Sequence, residues 1–369
     1  MSNDSRTPID YAAAGVDTAA GDLAVELMKG ALKATQGGDV VGGAGGFAGL
    51  YDVSALRDYR RPLLATSTDG VGTKVAIAQA MDVHDTIGHD LVGMVVDDIV
   101  VVGARPLFMT DYIACGQVVP ERIAAIVRGI AEACALTGTA LIGGETAEHP
   151  GLLGPQDYDV AGAVTGVVEA DRVLGPERVR QGDVLVAMAS SGLHANGYSL
   201  VRRVLEVSGW QLDREVPELG RTLGEELLEP TRLYTRPCLD LIETVDVHAL
   251  SHVTGGGLAA NLARVLPAGL VADVERGSWQ VPPIFDLIGR LGPVEWADLE
   301  QTLNLGVGMV AVVAPDDAAA LVAGSIAAGI PAWELGSVRA AADDAVADLV
   351  TGTKGMRGGA VRMHGSYRS

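Results

Sequence analysis

The chain has 369 residues, enough for two domains of ordinary size and too many for a single hydrophobic core. Hydrophobic residues make up 48% and charged residues 20%, a globular balance that excludes disorder throughout the chain. The formal net charge of -20 argues against a surface that holds nucleic-acid phosphates or anionic lipid, because both require clustered Lys and Arg. An anionic substrate must therefore be bound locally, by backbone amides, helix N-termini or a metal ion.

In chain order, the first half predicts an α/β domain over residues 1–170. Apolar periodicity predicts a helix over 22–33, followed by a glycine-rich loop over 37–49 and a buried strand that ends at Asp69. A helix over 85–103 carries Asp98, a strand spans 107–114, and a helix spans 120–137. A strand over 140–142 precedes Glu145, and a further strand spans 160–168.

A charged connector over 169–182 that contains Pro176 marks the predicted domain boundary. The second domain, 171–350, is predicted to hold strands over 183–189 and 307–313 and helices over 197–208, 231–244, 256–266 and 316–328. Residues 351–369 are rich in Gly, Lys, Arg and Ser, which predicts a flexible basic tail. The fold class is therefore α/β with mixed, α+β-like sheets.

Three cysteines, Cys115, Cys134 and Cys238, are far apart and lack metal-ligand spacing, so we expect a reducing compartment. The N-terminus lacks the apolar run of a signal peptide, and no stretch has the roughly 18 apolar residues of a membrane helix. We therefore expect a cytoplasmic protein with neither a membrane nor a nucleic-acid partner.

Three carboxylates, Asp69, Asp98 and Glu145, are the metal candidates, since each lies at a strand end or within an apolar helix. Magnesium prefers one or two carboxylates together with phosphate oxygens and water, so two or three acids meeting in one cleft would suffice. A solvated helix face or a buried salt bridge explains the same residues equally well.

Two segments could contact phosphate. Residues 70–74 lack the spacing of a P-loop, which excludes a kinase of that type, although Lys74 could act as a point charge on a phosphate. The glycine-rich loop allows backbone amides to approach phosphates through Gly43, Gly45 and Gly46. A tight turn and a flexible linker, respectively, remain open alternatives.

A third candidate, Thr254 followed by Gly255, Gly256 and Gly257, directly precedes a predicted helix, where amides and the helix dipole favour phosphate. An N-cap with a hinge is the alternative.

The loop at 190–197 places the hydroxyl of Ser191, the imidazole of His194 and the amide of Asn196 between a strand and a helix. No Gly-x-Ser-x-Gly elbow is present, so a hydrolase triad is not supported. The six remaining histidines form no ligand spacing, and most are expected to lie on the surface or in the core.

With these residues in place, the chain closely resembles the phosphoribosylformylglycinamidine cyclo-ligases, also called aminoimidazole ribonucleotide synthetases. The resemblance extends from residue 11 to 336 through the motifs at 14–17, 42–47, 68–74, 84–88, 143–148, 157–162, 190–202, 254–257 and 304–309. It implies a homodimer of two-domain subunits whose N-terminal domains, which bind ATP and magnesium, pair their sheets across the two-fold axis.

The resemblance also implies the reaction. ATP phosphorylates the formyl oxygen of formylglycinamidine ribonucleotide, the substrate's own nitrogen attacks that carbon, and aminoimidazole ribonucleotide, ADP and phosphate result, a step of purine biosynthesis. Magnesium is the implied metal, held by the three candidate carboxylates, and a monovalent cation such as K+ is a further expectation. Asp69, Lys74 and His194 become catalytic candidates. Lys74 and the two glycine segments become phosphate contacts, and Ser191, His194, Asn196 and Thr254 become substrate contacts.

Three residues depart from the family pattern: Ala12 stands where Lys is common, Asp97 where Asn is common, and Arg105 where Glu is common. Asp97 is expected to add negative charge beside Asp98, which would tighten metal binding or raise the pKa of one carboxylate. The alternative function is a non-catalytic nucleotide-binding dimer of the same superfamily. Three relatives of the same superfamily fit less well. A selenophosphate synthetase is expected to carry a reactive Cys near its N-terminus and a hydrogenase-maturation protein to end in Cys, and this chain shows neither feature. A thiamine-phosphate kinase is expected to lack the loop at 194–197, which this chain has.

Overall fold

The computed structural model describes residues 17–42, 46–341, 348–352 and 358–368, and the architecture below is that of these residues. The N-terminal part begins with α1 (Thr18–Thr35) and a small hairpin of β1 (Val40–Val41) and β2 (Leu50–Tyr51). It continues with β3 (Pro62–Gly70), α2 (Val75–Met81), α3 (Thr86–Val100), β4 (Arg105–Cys115), α4 (Pro120–Thr137), β5 (Ala140–Glu148) and β6 (Tyr158–Glu169). A four-stranded sheet has the order β3-β6-β4-β5, in which only β4 and β5 are parallel.

Helices α3 and α4 cover one face of this sheet. They approach closely at two glycines, since a Cβ on Gly88 would lie 2.2 Å from the carbonyl carbon of Gly129. The opposite face is open, with Leu64 and Tyr112 exposed by 65% and 41%. Because successive side chains of a strand point to opposite faces, the residues of this open face alternate along each strand with residues that lie under the helices.

The C-terminal part forms a seven-stranded sheet with the order β10-β12-β7-β13-β11-β15-β14. Its strands are β7 (Val184–Ala189), β10 (Val247–His252), β11 (Leu270–Glu275), β12 (Val307–Val313), β13 (Ala332–Ala340), β14 (Val350–Thr351) and β15 (Ala360–His364), and a separate hairpin contains β8 (Glu215–Val216) and β9 (Arg221–Thr222). The helices are α5 (Tyr198–Ser208), α6 (Leu223–Leu227), α7 (Thr235–Ile242), α8 (Gly257–Leu262), α9 (Pro283–Leu291), α10 (Trp296–Thr302) and α11 (Ala318–Ala327).

Helix α3 lies between the two halves. It contacts α4 and the four-stranded sheet on one side and α7 and β10 of the C-terminal part on the other. This double packing explains why α3 is apolar on nearly all sides. One hydrophobic cluster runs through it from Leu91 and Ile99 to Leu193 and Tyr198. The acidic residues of α3 are therefore held at the boundary between the halves.

The prediction of a flexible tail over 351–369 is wrong for the last residues that the structure describes. Strand β15 pairs in parallel with β11, its Val361 is fully buried, and the hydroxyl of Tyr367 donates to Glu300 Oε1 at 2.6 Å. The apolar residues of β15 are too few to stand out from the surrounding glycines and basic residues, and the sheet supplies their partners.

Glu145, expected just beyond a strand, lies within β5.

No helix in the described ranges is long and apolar enough to cross a membrane.

Candidate functional site in the interdomain cleft

Asp69, Asp98 and His252 meet between the two halves. Asp69 lies near the end of β3, Asp98 on α3, and His252 at the end of β10. The Nδ1 of His252 lies 3.0 Å from Asp98 Oδ1, and Ser67, on the same face of β3 as Asp69, donates to Asp98 Oδ2 at 3.5 Å. Burial opposes charging the imidazole, but the hydrogen bond to Asp98 and the charges of Asp97, Asp98 and Asp69 together raise the pKa of His252.

Glu145 does not join this cluster within the chain. The pairing register places Asp69, Gly162, Asp111 and Gly144 in one row across the sheet. Glu145 is one residue beyond that row, so its side chain leaves from the opposite face, roughly 14 Å away across three strand spacings. In the described ranges, no group of three or more His, Cys, Asp or Glu side chains is placed to hold a metal ion.

Asp69 and Asp98 nevertheless fit magnesium as a pair. Magnesium commonly takes one or two carboxylates and completes its shell with phosphate oxygens and water. The Asp98 side chain is 39% exposed, and Asp69 is exposed while its Oδ1 accepts the Gly70 N–H at 2.8 Å. His252, through its contact with Asp98, orients that carboxylate in the way outer-shell partners orient metal ligands.

Asp97 points away from the cleft, contrary to the expectation that it adds charge to a metal site. It is fully buried and accepts hydrogen bonds from the Tyr234 N–H at 3.0 Å and the Thr235 hydroxyl at 2.7 Å, at the N-terminus of α7. Burial raises its pKa to about 6, against the opposing effects of His252 and these two hydrogen bonds. The raised carboxyl pKa was expected, but its main cause is burial, and the carboxylate anchors a helix.

The structure contradicts the prediction that Lys74 contacts a phosphate, because its ammonium group is not available to a ligand. Its side chain is fully buried, and its ammonium donates to Asp90 Oδ1 at 2.8 Å, to the His194 carbonyl at 3.0 Å and to the Glu229 carbonyl at 2.7 Å. These contacts use all three N–H groups of the ammonium. Burial lowers the pKa of Lys74, and Asp90 offsets part of that effect. Lys74 therefore joins the two halves of the protein.

His194 and Ser191 are also turned inward, contrary to their predicted contact with substrate. The ring of His194 is 2% exposed, its Nε2 accepts the Ser191 N–H at 3.2 Å, and its buried Nδ1 has no partner in the described ranges. Burial, assisted by the charges of His252 and Lys74, lowers its pKa well below the ordinary value, so the ring is neutral. Ser191 Oγ donates to the Pro230 carbonyl at 2.6 Å. Both residues shape the loop.

Asn196, in contrast, does line the cleft. It borders a cavity of about 280 Å³ together with Asp69, Thr73 and Ser199. The hydroxyls of Thr73 and Ser199, which come from opposite halves, lie 3.1 Å apart at exposed positions. A Cβ on Gly255 would lie 3.3 Å from Asn196 Oδ1, so the glycine segment after β10 borders the same region.

That glycine segment is fixed rather than hinge-like. Gly255 and Gly256 are exposed, whereas Gly257 is buried with a φ of +73°, and a Cβ there would lie 1.8 Å from the Glu300 carbonyl oxygen. Asn261 holds the segment by donating to the Gly257 carbonyl at 2.8 Å, and Thr254 also contacts Asn261. The amides of Gly255 and Gly256 remain candidates for phosphate, although the helix that follows has only six residues.

A second cavity, of about 610 Å³, lies beneath α1 and is bordered by Gly46, Asp111, Gly144 and Glu145. Gly43 and Gly45, like Ala12, lie outside the described residues. Asp111 is 9% exposed, and burial raises its pKa to about 7.

The sequence interpretation did not identify His252 or Asp111. His252 had one available signal, its position two residues before Thr254. Asp111 had another, as the one charged residue within the otherwise apolar predicted strand over 107–114.

Comparisons with known proteins agree along the chain. Two family models match: "AIR synthase related protein, N-terminal domain" over residues 52–168 and "AIR synthase related protein, C-terminal domain" over residues 180–348. A relative from Desulfitobacterium hafniense (strain DSM 10664 / DCB-2) is 49% identical over 328 residues, covering 89% of this chain and 96% of the relative. One from Geobacillus kaustophilus (strain HTA426) is 49% identical over 329 residues, covering 89% and 95%. Both relatives are named phosphoribosylformylglycinamidine cyclo-ligase.

Solved structures show the same fold at low identity. Thiamine-monophosphate kinase from Stenotrophomonas maltophilia K279a superposes with a TM-score of 0.66 at 19% identity, covering 93% of this chain and 97% of the kinase. The hydrogenase maturation protein HypE in complex with ATP superposes with a TM-score of 0.58 at 19% identity, covering 88% of each chain.

Proposed function

The chain belongs to the phosphoribosylformylglycinamidine cyclo-ligase family, and from this premise we propose that it closes the imidazole ring of aminoimidazole ribonucleotide at the expense of ATP. The observation that carries the proposal is 49% identity over 89% of the chain to curated cyclo-ligases. The interdomain cleft supports it, because Asp69, Asp98 and Asn196, which the family resemblance assigns to the site, lie together there.

The reaction requires little covalent chemistry from the side chains of the protein. An amide oxygen is a poor leaving group, so its phosphorylation by ATP precedes attack by the substrate's own nitrogen. Since ring closure is intramolecular, holding the two reacting ends together supplies much of the rate. Magnesium, when bound, would neutralise developing charge on the phosphoryl oxygens, and Asp69 and Asp98 are the residues that would hold it. Asn196 would position the formyl or amidine end at the same cleft.

We place the ribonucleotide in the interdomain cleft. The hydroxyls of Thr73 and Ser199 lie at the mouth, next to the N-terminus of the eleven-residue helix α5, where backbone amides and the helix dipole favour a phosphate. Gly72, with a φ of +72° and open space where a Cβ would stand, keeps the approach free of a side chain.

We place the nucleotide in the cavity beneath α1. Apolar side chains of α1 line part of it, as suits a purine base, while Gly46 and Glu145 lie among its bordering residues and offer an amide and a carboxylate. In a single chain, Glu145 and Asp69 lie on opposite faces of the sheet. The interdomain cleft and the cavity beneath α1 are therefore separated within one chain, and we propose that a homodimer brings them together.

The open face of the four-stranded sheet supports the homodimer. Leu64 and Tyr112 are exposed there, and Glu145 is paired beside Tyr112 on the same face. A second copy that covered this face would remove apolar surface from water and bring a second set of carboxylates near Glu145.

The deciding experiment is turnover of purified protein with formylglycinamidine ribonucleotide, ATP and magnesium. The proposal expects aminoimidazole ribonucleotide and one ADP per ring closed. ATP binding without product would favour the non-catalytic alternative. Sedimentation of the same sample tests the dimer, and exchange of K+ for Na+ tests the expected monovalent cation.

A further inference from the structure

Asp111 is a buried carboxyl group in the cavity beneath α1 without a charged partner. Its side chain lies on the helix-covered face of β4, where a Cβ on the neighbouring Gly144 would come within 2.2 Å of Asp111 Oδ1. A larger residue at position 144 would therefore require the carboxyl group to move. The described residues that border the cavity include no Lys, Arg or His, and the hydrogen bond that Asp111 does accept comes from its own backbone N–H.

Apolar side chains line one side of the cavity. Helix α1 contributes Ala24, Val25, Met28 and Leu32, and α4 contributes Val127. Gln36 adds an amide whose N–H group already donates to the Leu141 carbonyl at 3.1 Å. A ligand here meets hydrocarbon from α1 and α4 on one side and the buried carboxyl group of Asp111 on the other, while the exposed Glu145 borders the cavity.

The surroundings of Asp111 favour its neutral form. Burying an ionised carboxylate without a partner costs several kcal/mol, so a group in this position takes up a proton instead. A neutral carboxyl group has one O–H donor and one carbonyl acceptor side by side. Adenine presents the complementary pattern, with the N6 amino group as donor beside a ring nitrogen as acceptor. An ionised carboxylate, in contrast, only accepts, and matches the adjacent N–H donors of guanine.

We infer that Asp111 reads the adenine base of the nucleotide through a pair of hydrogen bonds, in which its protonated carboxyl donates to a ring nitrogen and accepts from the amino group. This inference rests on the proposed function, since it identifies the nucleotide that the cavity beneath α1 takes. It assigns base selectivity to a residue that lies in the same row of the sheet as Asp69, two strands away, and on the opposite face from Glu145.

Two substitutions separate a neutral acid from an ionised one. Asp111→Asn retains a donor beside an acceptor in nearly the same shape, because an amide pairs with adenine in the same two-bond manner. Asp111→Leu removes both groups and replaces a buried polar group by a hydrocarbon, so this variant should fold at least as stably as the parent. Asp159→Asn, at an exposed position of β6 outside the cavity, is the matched control.

The measurement is equilibrium binding of ADP and of purine riboside diphosphate, which lacks the amino group and keeps the ring nitrogens as acceptors, by calorimetry on the full-length protein. We expect the parent, Asp159→Asn and Asp111→Asn to bind ADP within about three-fold of one another, and to prefer it over purine riboside diphosphate by roughly ten-fold, the loss that one missing hydrogen bond allows. Asp111→Leu should bind ADP roughly ten-fold more weakly and lose the preference.

Three results would overturn the inference: unchanged ADP binding in Asp111→Leu, ADP binding in Asp111→Asn as weak as in Asp111→Leu, or a parent that does not distinguish the two bases. Failure of the proposed function would look different. The parent would then bind ADP with the expected selectivity and still form no aminoimidazole ribonucleotide, whereas a parent that binds neither nucleotide would overturn the inference as well.

Discussion

Replacing Lys74 by Met tests whether this residue joins the two halves or contacts phosphate. The substitution keeps much of the side-chain volume and removes the ammonium with its hydrogen bonds to Asp90, His194 and Glu229. Asp90 Oδ1 would retain only the Thr231 N–H at 3.0 Å and its hydroxyl at 2.6 Å, while Oδ2 already lacks a partner in the described ranges.

The expected cost follows from that geometry. Removing one partner of a buried ion pair leaves an uncompensated charge and typically destabilises by about 3–5 kcal/mol. Against a total stability of roughly 5–15 kcal/mol, such a loss is large. Part of it should be recovered in the double variant Lys74→Met/Asp90→Leu, because a well-packed apolar pair avoids the unpaired charge.

The assay is urea unfolding followed by circular dichroism, together with the KM for ATP of each folded variant. The matched control is Lys29→Met, since Lys29 is 53% exposed, pairs only with Glu26 on the surface of α1, and should change stability by less than about 1 kcal/mol. A Lys74→Met protein with parental stability and a strongly raised KM for ATP would refute the structural role and restore the phosphate contact.

The remaining predictions concern Asp98, Asp111 and β15. Asp98→Asn removes a charge from the proposed magnesium pair and should raise the magnesium concentration needed for half-maximal turnover by roughly ten-fold; an unchanged magnesium titration would remove Asp98 from the site. Because the pKa of Asp111 in the folded protein is raised to about 7, its contribution to stability is complete below pH 4 and is lost as the pH rises through 7. The stability of Asp111→Asn relative to the parent should therefore rise by up to ~4 kcal/mol between pH 4 and 8, measured by urea unfolding at both values, and a constant difference would contradict the burial argument. Val361→Ser, at a fully buried position of β15, should destabilise by about 2 kcal/mol, whereas Val350→Ser, at a position that is 37% exposed, should cost far less. Equal midpoints of the two variants in thermal unfolding would contradict the packing of β15 and support the predicted flexible tail.

Local pattern was sufficient for most of the elements. The predicted helix over 120–137 coincides with α4, because Pro120 begins it and Gly138, with a φ of +74°, ends it. The predicted strand over 307–313 coincides with β12. Both signals lie within the segment itself, in the spacing of apolar residues and in the residues at the ends, so tertiary structure was not needed to read them.

Identifying the candidate site required both the local sequence motifs and the tertiary contacts. The motif around Asp69 and the loop with Asn196 indicated the family and placed two residues that do line the cleft. The same motif also suggested Lys74 as a phosphate contact. Its true acceptors are carbonyls 120 and 155 residues further along the chain, and no local pattern reports them.

Sequence motifs were enough to indicate the chemistry available to this protein, because motifs carry residue types and spacing, and these indicated a ring-closing ligase with carboxylates and glycine segments. Which of those groups face a ligand became known from the three-dimensional packing. Strand register places Asp69 and Glu145 on opposite faces of one sheet, and the packing of α3 between the two halves brings His252 to Asp98 while it turns Asp97 and Lys74 inward. The physical reason is that burial and partnership are set by contacts between residues distant in the chain, whereas periodicity records only the face that each segment buries.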